Sequence, residues 1–273
     1  MRRLLRTAAA LAACSCLVAG LAGAPQAVAA PSSTTLTAGF TPARLGAAST
    51  IELGFQIHRP GEQVPPPLLG VDFSLPAGVS LTSSELGLNS CTRTTLVNAG
   101  SEGCQPDAVM GYGSALLIAP DAAENLVEPV HITVLMAPAE DHHTSLLFYA
   151  NGGSPIVAQT MFSGQLVEAS RPFGATLDAT IPLTGGLPGE PDTSVVRMHA
   201  SIGSQGVTYY KRVRGAEVPY TPKGVVVPLS CPAGGFPFAA TFKFADGSDE
   251  SATTTAPCPS HGHHTHSRRR RLK

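Results

Sequence analysis

Tryptophan is absent from this 273-residue chain, and aromatic residues of all kinds make up only 5% of it. That scarcity speaks against a glycan-binding face built from exposed aromatic platforms. The one aromatic–basic patch is Tyr209-Tyr210-Lys211-Arg212, and strand alternation turns one of its tyrosines toward the core. Charge is sparse as well, at 14%, and unevenly placed. Of 18 basic residues, Arg2, Arg3 and Arg6 lie at the N-terminus and five lie in residues 268–273, which leaves ten in the body against all 19 acidic residues. A body this acidic excludes nucleic acid as a natural partner, because phosphate contacts need clustered Lys and Arg.

Catalytic signatures are missing too. Gly100-Ser101-Glu102-Gly103 is one residue short of a G-x-S-x-G elbow, and there is no H-E-x-x-H, P-loop or dinucleotide fingerprint. No carboxylate pair for glycoside hydrolysis can be singled out among so many acids. The sequence therefore assigns no catalytic residue and no cofactor.

What is present at the N-terminus is an export signal. A basic start, Met1 to Arg6, precedes an alanine-rich apolar stretch that ends in the small residues QAVAAP. This is the pattern of a cleaved signal peptide over residues 1–30, cut after Ala29 or Ala30, with no membrane span left after cleavage. Leu11-Ala12-Ala13-Cys14 offers an alternative, a lipobox in which an acylated Cys14 would anchor the chain. Its preceding apolar run is short, and equally apolar sequence continues beyond it.

Four cysteines remain beyond the signal. The sequence-local pairing, Cys91–Cys104 and Cys231–Cys258, is expected because each pair flanks one compact polar segment. Two such closures contribute about 3 and about 3.5 kcal/mol by loop entropy. No C-x-x-C is present, and no histidine stands at ligand spacing from a cysteine.

Between residues 31 and 258 the periodicity is β. Val130, Ile132, Val134 and Met136 share one face of a strand. Val196, Met198, Ala200 and Ile202 are expected inward, with Arg197, His199 and Ser201 outward. Ala240, Phe242 and Phe244 alternate with Thr241 and Lys243. Gly/Pro/Asn/Asp punctuation such as LPAG, NGG and ADGS separates these runs. The segments SSELGLNS and TRTTLVNAG around Cys91 can each form a helical turn or two. The pattern predicts an all-β, antiparallel β-sandwich. One large unit is favoured, with two smaller Ig-like sandwiches joined near residues 120–129 as the alternative.

The ordered elements TLTAGFTPARLGAASTIELGFQI, LPAGVSLTSSELGLNSC, GCQPDAVMGYGSA and CPAGGFPFAATFKFADGS resemble secreted, β-rich proteins of high-GC actinobacteria that carry no assigned activity. The resemblance covers most of residues 34–258. It implies an exported β-rich fold and carries over no catalytic residue.

The most suggestive stretch for chemistry is Glu140-Asp141-His142-His143. In an extended strand His142 and His143 would point to opposite faces and could not share a metal. Following Pro138 between two strong strands, the stretch reads as a solvated connection. His131 and His199 fall on outward faces and would join a metal site only if their strands neighbour that loop. Asp246-Gly247-Ser248-Asp249-Glu250 lacks the ligand order of a calcium loop and reads as a hairpin turn.

After Cys258 comes PSHGHHTHSRRRRLK, too polar to fold, so residues 259–273 are expected to form a disordered tail. His261, His263, His264 and His266 are weak metal ligands there. Arg268, Arg269, Arg270, Arg271 and Lys273 would contact anionic envelope polymers or lipid head groups. Taken together, the chain reads as an exported, non-enzymatic cell-envelope or extracellular protein. A secreted hydrolase or metal-dependent enzyme and an envelope glycan-binding module are the alternatives.

Overall fold

Alternation sets the architecture strand by strand. The structure is a computed structural model that describes residues 33–80, 85–121, 124–154, 159–186 and 189–259. In it Phe236, Phe238, Ala240, Phe242 and Phe244 are buried, while the residues between them are partly exposed. A strand with one face so apolar must meet another apolar face.

The strands in chain order are β1 (Ser33–Thr41), β2 (Ala48–His58), β3 (Leu68–Pro76), β4 (Val109–Ala119), β5 (Leu126–Met136), β6 (Thr144–Gly152) and β7 (Gln159–Glu168). They continue with β8 (Phe173–Thr180), β9 (Ser194–Ile202), β10 (Tyr209–Val213), β11 (Ala216–Tyr220), β12 (Val225–Val226), β13 (Phe236–Phe244) and β14 (Asp249–Ala256). One antiparallel sheet runs β1-β2-β9-β4-β5-β6-β7-β8-β3-β13-β14, with β12 attached to β2, and β10–β11 form a separate hairpin.

The all-β antiparallel class expected from the sequence is what forms, and its two layers are opposite walls of one continuous sheet. β4 and β5 pair directly over ten residues within the one sheet, so no boundary between two sandwiches falls between these strands. β1 lies alongside β14, which brings the two edges together into a nearly closed barrel. Side chains hold this seam. Thr34 Oγ1 donates to the Glu250 carboxylate at 2.5 Å. Arg59, just past β2, pairs with the same carboxylate and sits 5.0 Å from the centre of the Phe244 ring.

Inside, one half of the barrel is filled by phenylalanines. Phe40 packs edge-on against Phe236 at 5.4 Å, and Phe55 against Phe242 at 4.9 Å. Outward positions such as Thr241, Lys243, Arg197 and His131 are polar. That is the reverse of a membrane-spanning barrel, whose apolar side chains face out.

A second, smaller core lies on the outer wall. The helix α1 (Arg93–Ala99) is capped by Thr92, whose hydroxyl accepts from Thr95 N–H at 3.1 Å. It buries Leu96 against Leu135, Leu147 and Tyr149, on the outward face of β5 and β6. Cys91–Cys104 closes this segment, and Cys231–Cys258 joins the approach to β13 with the end of β14. Residues 85–90, the described part of SSELGLNS, form no helix.

One inward assignment changes. The ladder between β4 and β9 shifts register where Leu116 faces Arg197 and Leu117 faces Val195, leaving Val196 as an extra residue. This bulge turns Val195, rather than Val196, to the interior together with Met198, Ala200 and Ile202.

Candidate functional site

The histidines singled out in the sequence do not converge. Asp141 and His142 are the central residues of the β5–β6 turn, with φ of 49° and 66°, and His143 N–H donates to Glu140 C=O at 2.8 Å. Two successive positive φ values are the signature of a two-residue hairpin turn, so the stretch is a connection. His131 and His199 both face Ser114 across β4, on the exposed outer wall. Two strand spacings separate them, roughly 10 Å. His199 Nε2 is engaged by Glu52 at 3.2 Å. His131 is five strand residues from the end of β5, roughly 17 Å short of the turn that carries His142. Among the described residues no group of three or more His, Cys, Asp or Glu is arranged to hold a metal. His261, His263, His264, His266 and Arg268 to Lys273 lie outside the described residues, as does the N-terminal stretch with Cys14.

Asp246 accepts from Ser248 Oγ at 2.6 Å and Ser248 N–H at 2.9 Å, and Gly247 takes a φ of 82°. These hydrogen bonds hold the Asp246 carboxyl below its ordinary range. The segment is a tight turn, as its Asp-Gly pair implies.

The tyrosine patch splits between two environments. Tyr209 is wholly buried, and its hydroxyl donates to Val109 C=O at 2.6 Å while accepting from Gly87 N–H at 2.9 Å. Burial pushes its pKa up to about 12. Tyr210 is exposed on the β10–β11 hairpin. Lys211 of the same hairpin lies 5.3 Å from the centre of the Tyr220 ring. A glycan platform using Tyr209 is sterically impossible.

The site with the clearest shape is the barrel interior. Where β13 supplies phenylalanines, β4, β6, β8 and β9 supply Ala115, Ala150, Ala179 and Ala200 at inward positions. These short side chains leave an apolar cavity of about 70 Å³. Among the described residues its only polar lining groups are Thr160, Thr184 and Thr193, and no charged side chain lines it. A second void of about 40 Å³ lies next to it and shares Leu53, Leu177 and Ile202 as walls. Exposed Pro182 and half-exposed Leu183 belong to the lining of the larger one, so it reaches the surface beneath the segment that follows β8. Thr193 closes that segment back on Thr184 through N–H and Oγ1 donors to one carbonyl, at 2.9 and 3.0 Å. Alternation locates inward alanines in the sequence, but only the closed ring of strands turns them into one cavity.

No family model, curated protein or solved structure matches this chain. Among the described residues no helix is long and apolar enough to cross a membrane.

Proposed function

We propose that the chain is an exported, non-enzymatic binding protein of the cell envelope or extracellular medium, and that its barrel holds an apolar ligand. The observation that carries this reading is the cavity itself, walled by apolar side chains and three threonines and reaching the surface at one end. A wall of that kind suits burial of an apolar molecule and supplies no group for proton transfer. Export is supported by the two disulfides, which persist in oxidising compartments, and by the basic, apolar and small-residue order of residues 1–30. The basic residues Arg268 to Arg271 and Lys273 would hold the protein to anionic envelope polymers in a salt-dependent way.

Alanine-methyl NMR tests the binding reading without presuming a ligand. Apolar compounds of varied shape are titrated, and the methyls of Ala115, Ala150, Ala179 and Ala200 are followed. The expected result is saturable shifts at these four methyls with at least one compound. No shift with any compound would remove the binding function.

A further inference from the structure

One element stands outside the barrel. Among the described residues the β10–β11 hairpin pairs with no other strand, and every residue from Tyr210 to Pro219 is exposed. It turns through Arg214 and Gly215, at φ of 50° and 87°, between the paired Val213 and Ala216. Its base is anchored by buried Tyr209, with Tyr220 packed edge-on against that ring at 5.9 Å. The hairpin leaves the barrel after Ile202, at the end of β9 remote from the cavity's opening, so its role is independent of what the cavity holds.

The side chains it exposes are of two kinds. Tyr210, Val213 and Val218 are large and apolar, and Lys211, Arg212 and Arg214 stand among them. Single exposed apolar residues are ordinary, but three on one projecting element form a patch. Of the ten basic residues of the body three lie here within four positions, and the hairpin's one acid is Glu217. The ion pairs among the described residues engage Arg59, His199, Lys223 and Lys243, and none of these three. Asp107, on the turn nearest β10, accepts instead from Asn89 Nδ2–H at 2.7 Å.

Three properties narrow the partner. Val213 and Ala216 flank a two-residue turn and exchange hydrogen bonds, so the Arg212–Glu217 and Tyr210–Pro219 pairs turn their backbone groups outward. Pro219 therefore leaves the β11 edge without a donor where an added strand needs one, and recognition falls to the side chains. Strand alternation puts Tyr210 and Arg212 on one face, and Lys211 and Val213 on the other with Val218 opposite Lys211. A protein surface covers one face of such a hairpin, and a soluble polyanion offers nothing to its apolar groups. A lipid head-group layer takes in both faces: phosphates meet the cations, tyrosine sits at head-group level, and the valines reach the acyl boundary. Strands of five residues reach roughly 17 Å, well short of the ~30 Å hydrocarbon core, so the element lies in the interface and does not span.

We propose that the β10–β11 hairpin is a membrane-contact element that docks the protein on anionic phospholipid, with its tip immersed in the head-group layer.

The chain has no tryptophan, so Tyr210→Trp gives the full-length protein a single fluorescent reporter on the hairpin. Vesicles of phosphatidylcholine, with and without phosphatidylglycerol, are titrated in, with dextran sulfate as a soluble polyanion. The expected result is a blue shift and protection from acrylamide quenching on phosphatidylglycerol vesicles alone, weakening as salt rises. Sedimentation with the vesicles measures two further variants. Lys211→Gln, Arg212→Gln and Arg214→Asn together, the asparagine suiting the positive φ, should weaken binding about fivefold for each cation removed. Tyr210→Ser, Val213→Thr and Val218→Thr together should weaken vesicle binding about tenfold and leave dextran sulfate binding unchanged. Urea unfolding checks the fold of each variant, and the tryptophan reporter decides alone should either fail to fold.

Residues 268–273 are present throughout. Vesicle binding with unchanged emission, indifferent to both variants, would place the contact elsewhere and overturn the proposal. Equal response to phosphatidylcholine alone would overturn the anionic assignment. An equal response to dextran sulfate, with the apolar variant binding vesicles as the wild type does, would make the partner a soluble polyanion and overturn the lipid assignment. No response to any vesicle would overturn the membrane role outright.

Discussion

Asp72 on β3 and Asp178 on β8 face each other directly across their ladder, and Lys243 of β13 contacts both oxygens of Asp72 at 2.9 Å. Partial burial, and then the Asp72 charge, raise the Asp178 carboxyl above its ordinary pKa of 3.8. The hydrogen bond to Asp72 in turn raises Lys243. Like charges directly opposite on a sheet are destabilising, and here one lysine offsets only part of the repulsion.

Asp178→Asn should therefore stabilise the protein at pH 7, by about 0.2–1 kcal/mol. Folded Asp178 keeps its proton to higher pH than the unfolded chain does, so this group lowers stability as pH rises from about 3.8. Urea unfolding from pH 3 to 7 checks this. The two proteins should match at the acid end and diverge toward neutrality.

Tyr209→Phe removes a buried donor–acceptor hydroxyl and strands Val109 C=O and Gly87 N–H. The expected cost is about 1–3 kcal/mol. Because the folded hydroxyl titrates near 12 against 10 unfolded, the wild type should lose additional stability across that alkaline window. The phenylalanine variant should lack this component. Denaturation midpoints at pH 8, 10 and 11 separate the two effects.

The Asp141-His142 turn asks two side-chain-bearing residues to hold positive φ, a conformation that costs about 1–2 kcal/mol per residue. Replacing the pair with Asn-Gly should raise stability by about 0.5–1 kcal/mol. Thermal unfolding measures it. A loss instead would show that the aspartate or histidine makes a contact worth more than the turn strain.

Glu250 holds the barrel seam through Thr34 and Arg59, both sides of the ion pair being largely buried. Glu250→Ala leaves the Arg59 guanidinium without its partner in a poorly solvated place. The expected loss is about 2 kcal/mol, below the 3–5 typical of full burial. The variant should also open β1 and β14 to amide hydrogen exchange before the rest of the sheet.

Strand identity was legible wherever alternation was strict, as in Phe236 to Phe244, because a period of two can belong only to a half-buried strand. The turn at residues 140–143 was equally readable from Pro138 and its polar run. Val196 escaped, since a bulge depends on the partner strand and leaves no mark in β9's own pattern. Closure of the sheet escaped for a similar reason. Thr34 and Glu250 are far apart in the chain, and nothing local pairs them. The cavity was out of reach because alternation names a face, whereas volume depends on which alanines end up facing one another.

The most direct measurement is a crystal structure of the protein under xenon pressure, since a dry apolar cavity takes up this atom. Xenon is expected within the ring of Ala115, Ala150, Ala179 and Ala200. An interior without xenon, or one holding ordered water in its place, would contradict an apolar binding cavity.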